Sequence, residues 1–162
     1  MDADKNQSRE EEKRDDEKMK IKPIKNGIVI DHIASGRALE VLRILGIGDD
    51  YEDEVSLAMN VYSKSMGKKD IVKVENRNLK TDEVNKIAVI APKATINRIA
   101  DYKVVKKEKV VLPNEIIGIV KCPNPQCITN KAREPVKSSF IVVQRDPFII
   151  SCKYCEREAK GL

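Results

Sequence analysis

Aromatic side chains make up only 4% of the 162 residues, with no tryptophan and two phenylalanines. That scarcity leaves little material for stacking bases on rings, the usual way of gripping single-stranded nucleic acid. There is one histidine, His32, and no nucleophile–base pair is evident, which argues against an enzyme active site. No stretch reaches the roughly 18 consecutive apolar residues of a membrane span. The N-terminus is charged where a secretory signal would be apolar. The expected location is therefore the cytoplasm, without membrane contact. Cysteine is absent until Cys122, and all four cysteines fall in the last 41 residues. No internal repeat is visible.

Charge, by contrast, is plentiful: 35% of the residues are Asp, Glu, Lys or Arg, with a formal net charge of +5. It is unevenly placed. Residues 1–20 carry 8 acids and 6 bases, leaving 18 acids and 25 bases for the rest. A basic body suits an anionic partner such as a phosphate compound, a nucleic acid or an acidic protein surface, although a lysine-rich solvated surface looks the same by count. Residues 1–18 contain almost nothing apolar and are expected to form a disordered tail.

Order is expected from about Ile21. Ile28-Val29-Ile30 is a β-branched run that reads as a strand ending in Asp31 and His32. Gly36–Leu45 follows helical spacing, with Leu39, Leu42 and Leu45 as its apolar face, and Gly46 and Gly48 stop it. Val55, Leu57, Met59 and Val61 alternate with Ser56, Ala58 and Asn60, the pattern of a half-buried strand. A turn at Ser65-Met66-Gly67 leads to a return strand in which Val72 and Val74 alternate with Lys73 and Glu75. Thr81 is the expected N-cap of a second helix carrying Val84, Ile87, Ala88 and Ala91, and Pro92 ends it. Thr95–Val105 reads as one last strand. The order β-α-β-β-α-β predicts a ferredoxin-like domain, with two helices on one face of a four-stranded sheet. The charged stretch near Lys106–Lys109 and Pro113 reads as a linker. Short strands follow near 116–120, 139–144 and 148–151. The fold class expected is α+β. Residues 19–106 form the first domain, 107–115 the linker and 116–162 a small all-β domain.

That small domain carries Cys122 and Cys127 in a C-x4-C loop and Cys152 and Cys155 in a C-x2-C loop. Two tight thiolate loops brought together give S4 coordination, which suits one structural Zn2+ with no position left for water. An iron–sulfur cluster or two redox pairs are the alternatives. About 45 residues make a poor core alone, and zinc supplies roughly 10–16 kcal/mol in comparable small sites.

Strand parity singles out a second group. If the purely apolar sets face the helices, then Asp31, Lys73 and Asn97 converge on the open face of the first sheet. An acid, an amine and an amide on adjacent strands suit a polar ligand with hydroxyls. His32, Lys107 and the Lys68-Lys69 pair add charge for phosphate. The same pattern fits an ordinary solvated sheet face with one Asp–Lys pair.

Several segments resemble a known family. Ile28-Val29-Ile30-Asp31-His32-Ile33, Met66-Gly67-Lys68-Lys69-Asp70-Ile71-Val72-Lys73-Val74-Glu75-Asn76 and Ala91-Pro92-Lys93-Ala94-Thr95-Ile96-Asn97-Arg98-Ile99 are similar to the regulatory chain of aspartate carbamoyltransferase. So are Cys122-Pro123-Asn124-Pro125-Gln126-Cys127-Ile128, Glu134-Pro135-Val136-Lys137-Ser138-Ser139-Phe140 and Cys152-Lys153-Tyr154-Cys155-Glu156. The resemblance runs from about Lys18 to Glu158 and implies a non-catalytic chain of pyrimidine biosynthesis. It implies a first domain that binds the nucleoside triphosphates CTP, ATP and sometimes UTP, and a zinc domain that docks on the catalytic chain. A regulatory-chain homodimer within a larger assembly is implied too. Carried over by position, Asp31 and Lys73 match ribose contacts. His32 and Lys107 match phosphate contacts, with Lys69 and Lys18 nearby. Ile24 and Tyr102 match residues whose backbone reads the base, and Ile21, Val29, Asn97, Ile99 and Val104 line the pocket. The long charged tail departs from the family's shorter versions. The rival on the same fold, an RNA-binding domain with a zinc ribbon, needs rings on its central strands that Ile28–Ile33 and Asp70–Asn76 lack.

Overall fold

The computed structural model describes residues 23–160. The charged tail, Lys18 and Ile21 lie outside the described residues. The first unit contains β1 (Gly27–Ala34), α1 (Ala38–Ile44), β2 (Val55–Ser63), β3 (Gly67–Glu75), α2 (Thr81–Ile90), β4 (Thr95–Ala100) and β5 (Lys103–Lys109). The second contains β6 (Glu115–Ile117), a 3-10 turn at Ile128–Asn130, β7 (Ser139–Gln144), β8 (Ile149–Cys152) and β9 (Glu158–Lys160). The α+β class, with a separate all-β C-terminal unit, is as expected. No helix among the described residues is long and apolar enough to cross a membrane.

The first sheet is antiparallel with order β2-β3-β1-β4-β5. Its first four strands have the βαββαβ arrangement, with β1 between β3 and β4. Ile28, Ile30, Val72, Val74 and Ile96 turn inward, at no more than 2% exposure. Ala38, Val41, Ile87 and Ala88 from the helices complete that core. Each fully buried Ile or Val contributes about 1.5–3 kcal/mol, so this face fixes the register. In the second sheet, order β6-β7-β8-β9, Ile116, Phe140 and Ile150 are fully buried beside three of the cysteines.

Four local expectations need correction. The apolar face of α1 is Ala38, Val41 and Leu45 with Leu42 packed against it, at i, i+3, i+4 and i+7, whereas Leu39 is 49% exposed. Leu39 lies about 100° round the helix from Ala38 and so misses the sheet. The N-cap of α2 is Lys80, not Thr81. Its N–H is satisfied by the Glu83 carboxylate at 3.0 Å, so the cap is made from inside the helix. Thr95–Val105 is not one strand. The chain reverses at Asp101-Tyr102, both left-handed (φ 49° and 62°), and β5 pairs back on β4. Lys107–Lys109, assigned to the linker by their charge, therefore hydrogen-bond opposite Thr95–Asn97. Strand β9 had no counterpart in the sequence reading.

Candidate functional site

The face of the first sheet turned away from the helices carries a continuous cross-strand row. Ser56 on β2 lies opposite Lys73, Lys73 opposite Val29, Val29 opposite Asn97, and Asn97 opposite Lys107. The expected convergence of Lys73 with Asn97 is thus present, with Val29 between them. The fifth strand adds Lys107 to the same line. Two residues further along β1, Asp31 faces Thr95, which faces Lys109. Two residues the other way, Gly27 faces Ile99, and Ile99 faces Val104. These rows are about 7 Å apart along the strand. An apolar end, an amine-and-amide middle and a charged end follow one another on a single surface.

Parity alone would send His32 to the helix face, opposite Asp31. A bulge prevents this. The β1–β3 register slips by one residue between Ile30 and Ile33, and His32 is left-handed at φ 56°. The extra residue brings Asp31 and His32 to the same side. His32 Nδ1 then lies 3.1 Å from Thr95 Oγ1, and the His32 backbone N–H donates to Asp31 Oδ1 at 2.6 Å. The Lys69 ammonium straddles the Asp31 carboxylate at 2.9 and 3.2 Å. Burial holds the pKa of Lys73 below the ordinary lysine value, and the negative charge of Asp31 partly offsets this. Strand parity puts Thr95 on the face of Asn97, but neither it nor Lys109 was singled out as a site residue. Their signal was the i, i+2 spacing from Asn97 and Lys107.

At the apolar end, Ile24 is buried and the Lys25 carbonyl accepts the Tyr102 N–H at 3.0 Å. The segment before β1 is thereby tied to the β4–β5 turn. The Tyr102 ring is 64% exposed, so at this position the backbone, not the ring, is anchored.

The four cysteines come from the two loops expected. They are free thiols, and their Sγ atoms all lie within 4.8 Å of one another. Cys122 and Cys155 are 3.5 Å apart, and Cys127 and Cys152 3.8 Å. A tetrahedron of sulfurs about 2.3 Å from a central zinc has edges of about 3.8 Å, so the two close pairs already match that ion and the widest pair, within 4.8 Å, closes by about 1 Å or less on binding it.

Residues 19–111 match the family described as "Aspartate carbamoyltransferase regulatory chain, allosteric domain". Residues 114–161 match "Aspartate carbamoyltransferase regulatory chain, metal binding domain". The chain belongs to the aspartate carbamoyltransferase regulatory chain family. A regulatory chain from Methanothermobacter thermautotrophicus is 54% identical over 139 residues, 86% of this chain and 88% of the relative. One from Methanoculleus marisnigri is 56% identical over 136 residues, covering 84% and 85%. One from Staphylothermus marinus is 49% identical over 144 residues, covering 89% and 88%. These relatives bear the name of the regulatory chain, not of the catalytic chain.

In this regulatory chain the zinc site is braced by its own backbone. The Arg157 N–H draws the Cys155 thiol down to about 6, and the Thr129 hydroxyl donates to Cys127 Sγ at 3.2 Å. Burial pushes Cys122 up to about 12. Asn130 donates to the Cys122 and Asn124 carbonyls at 2.9 and 2.7 Å, closing the first loop. In the second loop Glu156 is left-handed (φ 61°) and its N–H returns to the Cys152 carbonyl at 2.9 Å. With four protein sulfurs the ion serves structure, because no ligand position is open to substrate.

Proposed function

We propose that this chain binds nucleoside triphosphates on the open face of the first sheet and transmits their binding to the catalytic chain through the zinc domain. The cross-strand row Lys73–Val29–Asn97–Lys107 carries this reading, with Asp31, His32 and Lys69 at its charged end. A base would lie at the Ile24, Ile99, Tyr102 and Val104 end. The ribose hydroxyls would meet Asp31 and Lys73, and the phosphates His32, Lys69 and Lys107. CTP and ATP are the expected effectors, with UTP as a third. Lys73, Val29, Asn97 and Lys107 carry no ring, so the middle of the sheet offers RNA bases nothing to stack on. The zinc domain, residues 116–162, is the part that docks on the catalytic chain, which supplies the carbamoyltransferase activity. The effector domain, whose sheet ends with β5 at Lys109, pairs with a second copy.

Titration calorimetry of the zinc-loaded chain with CTP and ATP tests the effector site. Loss of one charge-assisted contact costs about 1.5–3 kcal/mol, or roughly tenfold to hundredfold in affinity. Lys73→Ala and Lys107→Ala should each fall in that range. Wild-type affinity in both variants would refute the site.

A further inference from the structure

We infer that Asp70 is the positioning residue of the effector site, an assignment that rests on the nucleotide reading above. Asp70 is fully buried on the helix side of β3, back to back with Lys69 and Ile71 on the open face. Its carboxylate accepts three backbone N–H groups from two other segments. Oδ2 takes Gly36 at 2.8 Å and Ala38 at 3.0 Å, and Oδ1 takes Asn60 at 2.9 Å.

Those partners flank two bulges that face each other across β3. On one side, the β1–β3 register slips between Ile30 and Ile33, around Asp31 and His32. On the other, the β2–β3 register slips between Ala58 and Val61, around Asn60, which is left-handed at φ 59°. Non-glycine residues persist in that conformation only where their surroundings over-determine it. Upstream of the His32 bulge the chain is held by ladder bonds as far as Ile30↔Val72. Downstream it pairs through Ile33↔Asp70 and Ala34↔Lys69, and the Gly36 and Ala38 N–H groups then close on the Asp70 carboxylate. The same side chain therefore fixes where the extra residue of β1 sits. It also fixes the strand position of Lys69, which holds Asp31. Asp70 touches no ligand; it sets the geometry of three groups that would.

Asp70→Asn keeps the size but puts an amide NH2 where N–H donors now point, so at least one segment loses its acceptor. The test combines calorimetry with CTP and ATP and amide hydrogen exchange on the zinc-loaded full chain. If the Asn variant does not fold, Asp70→Ser, which retains one acceptor in less volume, takes its place. The expected result is faster exchange confined to residues 30–36 and 58–62, with α2 unchanged, and nucleotide affinity about tenfold weaker. Uniformly faster exchange, α2 included, would make Asp70 a residue of general stability and overturn the assignment. Unchanged exchange, or local loosening with wild-type affinity, would overturn it equally. Local loosening in a chain whose wild type binds neither CTP nor ATP would uphold the positioning and sink the nucleotide reading instead.

Discussion

Lys73 sits where burial disfavours its charge, and the negative charge of Asp31 offsets part of that cost. Its lowered folded pKa means that the charged form costs stability at neutral pH, a cost relieved as pH rises towards the ordinary lysine range. An anionic ligand beside it reverses the balance and raises the pKa again. Nucleotide binding should then be accompanied by proton uptake that grows with pH, and affinity should fall as pH rises through the lowered value. Calorimetry in two buffers of different ionisation enthalpy measures the uptake, and Lys73→Met should abolish it. Uptake of the same size in that variant would assign it to another group. Much of this surface could be read from parity, because Val29, Lys73 and Asn97 lie opposite buried neighbours in strands of regular register. His32 could not. Its place depends on one extra residue in β1, and Asp31-His32 carries none of the glycine that usually marks a left-handed position. The same bulge sets Asp31 beside Lys69, whose ammonium holds its carboxylate at 2.9 Å.

Among the elements, the two helices are joined at their ends by one side chain. Arg77 Nη2 donates to the Leu45 carbonyl just past α1 and to Glu83 Oε2 in the first turn of α2, both at 2.6 Å. Glu83 is 8% exposed and Arg77 21%. Arg77→Ala strands a nearly buried carboxylate and an orphan helix-end carbonyl. Breaking a buried pair costs about 3–5 kcal/mol; with Arg77 one-fifth exposed, a loss of about 2–3 kcal/mol is expected on denaturant unfolding. Arg77→Ala with Glu83→Gln should recover part of it, because the amide tolerates burial better than the charge. No recovery would mean that the Leu45 carbonyl, not the ion pair, is what matters. The helices themselves were legible from spacing, since a period of 3.6 survives errors of one residue at either cap. The β4–β5 reversal was not. A two-residue turn of two left-handed residues is usually announced by Asn-Gly or Asp-Gly, and Asp101-Tyr102 supplies only the first half of that signal. The result was one long strand and a misplaced Lys107, although the resemblance placed that lysine among the ligand's contacts.

Across the whole molecule, the segment between the two sheets has almost no free length. The Val110 N–H is bound to the Ala94 carbonyl of the first unit at 3.0 Å. Arg145 of the second unit donates to the Leu112 carbonyl at 2.8 Å and to Asn114 Oδ1 at 2.7 Å. The Val110 and Leu112 side chains are buried at 7% and 6% exposure, so only Val111, 75% exposed, stands between the two anchors. A tether of that kind passes on a displacement that a long flexible linker would absorb. Removing zinc cuts the path from the other end. Cys152→Ser, or chelation, should unfold the second sheet and release the chain from the catalytic subunits, while the first sheet keeps its own core. Circular dichroism and co-sedimentation report the two losses separately. If the chain transmits rather than merely holds the assembly together, a nucleotide must bind two states of the complex unequally. Coupling of that kind is typically about 1–3 kcal/mol and is reciprocal. In the reconstituted complex, saturating CTP or ATP should shift the aspartate concentration for half-saturated binding about fivefold or more. Saturating aspartate should in turn shift nucleotide affinity by the same factor. Arg145→Ala, which frees Leu112 and Asn114, should shrink both shifts together while leaving nucleotide affinity in the isolated chain unchanged. Equal aspartate curves with and without nucleotide, at concentrations shown to fill the site, would reduce the chain to a scaffold.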